Sequence, residues 1–441
     1  MSDTPRPSAT ASPIAALRQY GQSVWLDFIR RSLITGGDLK RLVDEDGLGG
    51  LTSNPAIFEK AIDGSDDYKA AIAEISVDQR LSPKDVFERL AIKDIQDAAD
   101  VLRPVYDRTA TVDGYVSLEV APDLAHDTAG TMAEARRLWK TVNRPNVMIK
   151  VPATAAGLPA IRELLTDGIN INITLLFARS AYEAVAVAYL EAFEARVARH
   201  QPIDRIASVA SFFVSRIDSM VDAILAEKLK TAPAADQPAL EGLMGTVAIA
   251  NAKVAYASYQ RLFSGPRWDA LAKHGAHPQR VLWASTSTKN PRYRDTMYVE
   301  ELIGPDTVDT VPPETMAAFR DHGRLRASLE DDLAGATRTL EALDRAGISL
   351  AKVTDDLLVE AVKKFVEPFG KLLEAVARRC REANAARINA QSMSLPPAIA
   401  ADVKAELDRW QARGGTKGLW AGDATLWTNS DEAKWIGWLG V

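Results

Sequence analysis

A single lysine stands inside an otherwise apolar run, Asn146-Val-Met-Ile-Lys-Val-Pro-Ala-Thr154. The run has the length and composition of a short buried strand. Burial strips solvation from an ammonium group and lowers its pKa. A neutral amine is a nucleophile, and its characteristic chemistry is Schiff-base formation with a carbonyl. A lysine at a strand end more often keeps its head in water and has a purely structural role. The other chemistry-bearing residues therefore decide what Lys150 does. The five histidines, His126, His200, His274, His277 and His322, form no zinc-type or nucleophile-elbow pattern. Acid and base work falls to carboxylates, with Asp27 and Glu119 the candidates.

Eight strand-like runs alternate with amphipathic stretches: 24–30, 47–54, 114–120, 146–154, 169–177, 206–215, 281–287 and 308–312. Eightfold β-α repetition predicts a (β/α)8 TIM barrel. A doubly wound open sheet is the alternative, and no GxGxxG opens a helix after a strand to support it. Side chains alternate along a strand, so each strand has two faces. Val24, Leu26 and Phe28 oppose Trp25 and Asp27, and Val116, Leu118 and Val120 oppose Tyr115, Ser117 and Glu119. Val147, Ile149 and Val151 oppose Met148 and Lys150, and Ile171, Ile173 and Leu175 oppose Asn172 and Thr174. In a barrel the apolar faces meet the helices and the polar ones point inward. Asp27, Asn54, Glu119, Lys150, Asn172, Thr174, Ser211 and Ser285 form the inward set. Polar groups near strand C-termini are where such barrels do chemistry.

The set suits aldol chemistry through a Schiff base. Two carboxylates on a barrel also fit a glycosidase, but that reading leaves the lysine without a task. A second cluster points to an anionic substrate. Arg216 ends the sixth run, and the seventh passes into Ser285-Thr-Ser-Thr-Lys-Asn-Pro-Arg-Tyr-Arg294. Hydroxyls and cations at a strand C-terminus suit a phosphate, although the same residues on an open surface would be solvated charge.

Composition sets the limits. The chain has 441 residues, 47% hydrophobic and 25% charged, with a net charge of −6. Neither nucleic acid nor membrane is an expected partner. The single cysteine, Cys380, leaves no intrachain disulfide and no cysteine metal cluster, which fits a cytoplasmic setting. Residues 1–20 are expected to be a flexible lead-in without secretory character, and 21–391 the barrel. Residues 392–441 carry five of the nine tryptophans and are expected to dock on the barrel as a tail.

Four ordered motifs carry a family resemblance: Leu51-Thr-Ser-Asn-Pro55, Val116-Ser-Leu-Glu-Val120, Met148-Ile-Lys-Val-Pro-Ala-Thr154 and Gly168-Ile-Asn-Ile-Asn-Ile-Thr-Leu-Leu-Phe177. Over about residues 20 to 390 the chain resembles transaldolases. The resemblance implies a cofactor-free, metal-free class I aldolase-type barrel of the pentose phosphate pathway. It implies transfer of a dihydroxyacetone unit from sedoheptulose 7-phosphate to glyceraldehyde 3-phosphate, giving erythrose 4-phosphate and fructose 6-phosphate. Lys150 would form the Schiff base, and Asp27 would handle protons during bond cleavage. Glu119 and Thr174 would position a catalytic water. Asn54, Asn172 and Ser211 would hold the dihydroxyacetone part, and Arg216 and Ser285 the phosphate. One departure stands out: Ser287 occupies the position where shorter transaldolases carry a second arginine. Lys289, Arg292 or Arg294 is left to supply that charge. The length and the Trp-rich tail look like the larger bacterial form, which is sometimes fused to a glucose-6-phosphate isomerase; that domain is not expected here. Two alternatives share the barrel. One is a fructose-6-phosphate aldolase, and the other a catalytically silent barrel acting as a binding module.

Overall fold

The computed structural model describes residues 12–78, 80–389, 395–431 and Lys434. Eight parallel strands close into a barrel in the order β1 to β8: Gln22–Asp27, Gly50–Thr52, Tyr115–Glu119, Val147–Pro152, Ile171–Leu176, Ser208–Phe213, Arg280–Ala284 and Thr307–Val311. β1 pairs with β8 to complete the ring. Each expected strand has its counterpart, usually shorter, because residues at one or both ends of each run lie in the flanking loops. Helices follow every strand, the longest being Pro83–Arg108 and Leu350–Asn389. The excursion after β6 holds four helices, Ser215–Leu229, Gln237–Glu241, Val247–Leu262 and Pro266–Ala272.

The strands hold because both faces are covered. Val116, Val147, Ile149, Val151, Ile171 and Ile173 are fully buried. At the barrel base the Trp25 indole lies against Gly50, where a Cβ would fall 2.6 Å from the ring. Only glycine admits that approach.

Two sequence expectations need correction. The alternation expected through Leu175 stops at Thr174. The β5–β6 register shifts between Ile173 and Leu176, and Leu175 has φ +62°. A branched residue in the left-handed region is strained by about 1–3 kcal/mol, and such strain gathers where a strand end is re-aimed. The flexible lead-in expected over residues 1–20 does not hold for residues 13–20. Residues 1–11 lie outside the described residues, but Pro13–Ala16 and Leu17–Tyr20 are helical. Ile14, Ala16 and Leu17 are buried, so apolar spacing there already serves the core.

Contacts divide the chain into two compact units, Met1–Asn384 and Ala385–Val441. The second contains the helices Pro397–Ala412 and Gly415–Trp420. Within it Arg413 lies over the Trp410 ring, 4.9 Å from its centroid. Trp435 and Trp438 lie outside the described residues. Among the described residues no helix is long and apolar enough to cross a membrane.

Candidate active site

Parallel register brings the reactive groups into one row. Lys150 on β4 is the Cα partner of Glu119 on β3 and of Asn172 on β5. Residues in register share a face, so all three point into the barrel. Lys150 Nζ lies 3.7 Å from Glu119 Oε2 and donates to the Ser53 carbonyl at 3.2 Å. Asn172 is locked from both sides. Its Nδ2 donates to Ser117 Oγ (3.0 Å), and its Oδ1 accepts from Ser211 Oγ (2.7 Å).

Above this row opens a cavity of about 430 Å3. Eight of the ten expected site residues line it: Asp27, Asn54, Lys150, Thr174, Ser211, Arg216, Ser285 and Lys289. Glu119 and Asn172 do not; they are the strand neighbours of Lys150 in register and lie off this cavity's surface. Asp27 ends β1, and its Oδ1 accepts from Thr52 Oγ1 at 2.8 Å. Asn54 caps the helix Pro55–Asp63, accepting the Ile57 N–H at 3.0 Å. Only the amide oxygen is engaged by the cap, so its NH2 group is left for the cavity.

The electrostatics divide the cavity into two sides. Burial pushes the Glu119 carboxyl up to about 7, although Lys150 opposes the shift. Among the described residues, Glu119 Oε2 and Thr174 Oγ1 are both buried without a hydrogen-bond partner. Two orphaned oxygens beside a lysine form a place where a polar atom can be held. On the other side stand Arg216 and Lys289. Arg216 packs near the Phe213 ring, 5.6 Å from its centroid, and among the described residues no carboxylate pairs with it. Burial lowers the pKa of both cations, and Arg216 lowers that of Lys289 further. A half-buried arginine beside a solvent-accessible lysine at the cavity surface suits an anion.

Of the three cations considered in place of the missing arginine, Lys289 alone lines the cavity. Arg294 pairs with Glu300 at 2.5 Å, and Arg292 and Arg294 line a separate groove. Sequence reasoning missed Lys60, Lys364 and Phe365, which also line the cavity. Lys60 was accessible in principle. It follows Ile57 by three positions on the helix that Asn54 caps, so the two share a face. Lys364 and Phe365 come from the helix Leu350–Asn389, and no local pattern tells which turn of a 40-residue helix passes the barrel mouth.

Known proteins share this sequence over most of its length. A sequence model of the transaldolase/fructose-6-phosphate aldolase family matches residues 24–376. The chain is 46% identical over 369 residues to a transaldolase of Trichodesmium erythraeum, covering 83% of this chain and 97% of that one. It is 48% identical over 364 residues to transaldolase 2 of Nostoc punctiforme, covering 82% and 95%. It is 45% identical over 375 residues to transaldolase 1 of Streptomyces avermitilis, covering 85% and 97%. The chain belongs to the transaldolase/fructose-6-phosphate aldolase family and is an enzyme of the transaldolase type.

Proposed function

We propose that the chain transfers a dihydroxyacetone unit from sedoheptulose 7-phosphate to glyceraldehyde 3-phosphate through a Schiff base on Lys150. The observation that carries the reading is Lys150 itself. Its amine lines the cavity with the Glu119 carboxylate 3.7 Å away, and Arg216 and Lys289 line the same cavity. The amine adds to the donor ketone, and loss of water gives an iminium. Asp27 then takes the proton from the donor C4 hydroxyl. The C3–C4 bond breaks, its electrons move into the iminium to form an enamine, and erythrose 4-phosphate departs. The enamine attacks the aldehyde carbon of glyceraldehyde 3-phosphate, and the new alkoxide takes a proton. Water held by Glu119 and Thr174 adds to the resulting iminium and releases fructose 6-phosphate. Asn54 and Ser211 would hold the three-carbon unit, with Asn172 fixing the Ser211 hydroxyl from behind, and Arg216, Ser285 and Lys289 would hold the phosphate.

The test is borohydride reduction with fructose 6-phosphate present, followed by peptide mapping. A reduced adduct on Lys150 is expected; no adduct on Lys150 would overturn the mechanism. Asp27→Ala should lower turnover by roughly a hundred- to ten-thousand-fold, as expected for lost acid–base assistance. A fructose-6-phosphate aldolase would share the adduct but release free dihydroxyacetone when no acceptor aldehyde is supplied. An acceptor-free product assay separates the two, and transfer without release is expected.

A further inference from the structure

The cationic side of the cavity is assembled from two segments distant in sequence. The helix Ser215–Leu229 brings Arg216, and the loop between β7 and the helix Met297–Glu301 brings Ser285 and Lys289. Beside the cavity they are tied at Ser215 and Ser285. Their hydroxyl oxygens lie 3.0 Å apart, and the Ser215 N–H donates to the Ser285 carbonyl at 3.1 Å.

Farther from the cavity two buried carboxylates make stronger joints. Tyr293 Oη donates to Asp222 Oδ2 at 2.5 Å, and Tyr298 Oη donates to Asp218 Oδ2 at 2.8 Å. The remaining oxygens accept the N–H groups of Gly245 (3.0 Å) and Ala248 (2.7 Å), where the helix Val247–Leu262 begins. Each aspartate thus joins three segments. Asp218 and Asp222 are four residues apart and share a helix face. Arg216, two residues before Asp218, projects from the other side toward the cavity. The Tyr293 ring is seated on Gly245, which has φ +71° and whose added Cβ would fall 2.6 Å from the ring.

We propose that Asp222 and Tyr293 are positioning residues for the phosphate end of the substrate. Their joint holds the Lys289 loop at a fixed spacing from Arg216, so the cradle for a phosphate monoester is formed before substrate arrives. The inference rests on the reading that Arg216 and Lys289 take the phosphate. Two neighbouring cations repel each other, and a loop free to retreat transfers its ordering cost to every binding event. The Asp222–Tyr293 joint removes that freedom.

The experiment is Tyr293→Phe, which keeps the ring on Gly245 and deletes only the hydroxyl. KM for fructose 6-phosphate should rise roughly five- to tenfold, as for one lost buried hydrogen bond, with kcat within about twofold. The inhibition constant of inorganic phosphate should rise in parallel, and turnover of unphosphorylated fructose should not change. Asp222→Ala should behave like Tyr293→Phe. Asp222→Asn should restore the wild-type KM, because the amide can keep both contacts. In a Lys289→Ala background, Tyr293→Phe should add little. An unchanged KM, or equal losses on phosphorylated and unphosphorylated donors, overturns the positioning role. Unchanged phosphate inhibition in both Arg216→Ala and Lys289→Ala overturns the phosphate reading itself and the joint's role with it. A phosphate effect in those two but none in Tyr293→Phe overturns the joint alone.

Discussion

Each end of the barrel buries a cation against a carboxylate, and the two pairs are built differently. At the base, Asp113 Oδ1 accepts from Arg280 Nη2 (2.9 Å) and Trp25 Nε1 (3.1 Å), and its Oδ2 accepts from Ser23 Oγ (2.6 Å). Arg280 also donates to Ser23 Oγ and to the Val112 carbonyl. Burial would raise the Asp113 pKa, but the Arg280 charge and the hydrogen bonds from Ser23, Arg280 and Trp25 overcome it and hold the carboxyl below its usual value. At the rim, Lys150 stands 3.7 Å from Glu119, one Glu119 oxygen has no hydrogen-bond partner among the described residues, and burial prevails. A saturated pair is a fixed joint. An unsaturated pair keeps donor and acceptor capacity for a substrate. The chemistry of (β/α)8 barrels sits at the strand C-termini, and this chain shows the division in two ion pairs of similar burial.

Removing the cation from each pair should separate the two roles. Lys150→Ala deletes the nucleophile, and activity should fall by about ten-thousand-fold or more. Its stability should change little, because Glu119 titrates near neutrality and can take up a proton in place of its partner. Thermal unfolding and steady-state turnover measured side by side check this. Arg280→Ala should do the reverse. It strands an ionised, fully enclosed Asp113 and should cost about 3–5 kcal/mol of stability. The fraction that remains folded should turn over normally. If Arg280→Ala lowered kcat at temperatures well below unfolding, the division of labour between the two ends would be wrong.

The rim was far more legible in the sequence than the base. Lys150, Asn172 and Thr174 are polar residues at even spacing in apolar strands, and period-two alternation alone turns them inward. Eightfold repetition then sets them around one ring. Alternation failed at Leu175 because a bulge is a tertiary accommodation with no local signature in Ile-Thr-Leu-Leu. The base network was missed because its members look ordinary in isolation. Asp113 precedes β3 in a turn, and Arg280 opens β7 just before the run that marks the strand. Their partnership exists only once β1, β3 and β7 are arranged around the barrel. The same holds for Asp222 and Tyr293, which are 71 positions apart in sequence.

The smallest expected effect, at Glu119, belongs to the sharpest test of the contrast, because its sign is opposite to that of the matching change at the base. Replace each carboxylate by its amide. The folded Glu119 pKa, about 7, lies above the ordinary 4.5. The stability linked to its proton is fully present below about 4.5 and is lost as pH rises through about 7. Glutamine has no proton to lose, so Glu119→Gln should be more stable than wild type at pH 8, by roughly 1 kcal/mol, with the gain fading toward pH 5. Asp113 is displaced the other way, below 3.8. Its contribution is present above that value and lost as pH falls, so Asp113→Asn should be less stable at pH 8, by about 3 kcal/mol. Urea unfolding midpoints at pH 5 and pH 8 measure both. Two losses at pH 8 would mean that the rim pair is a structural joint like the one at the base. Opposite signs would mean that the rim carboxylate is held against stability, as a group kept for the reaction should be.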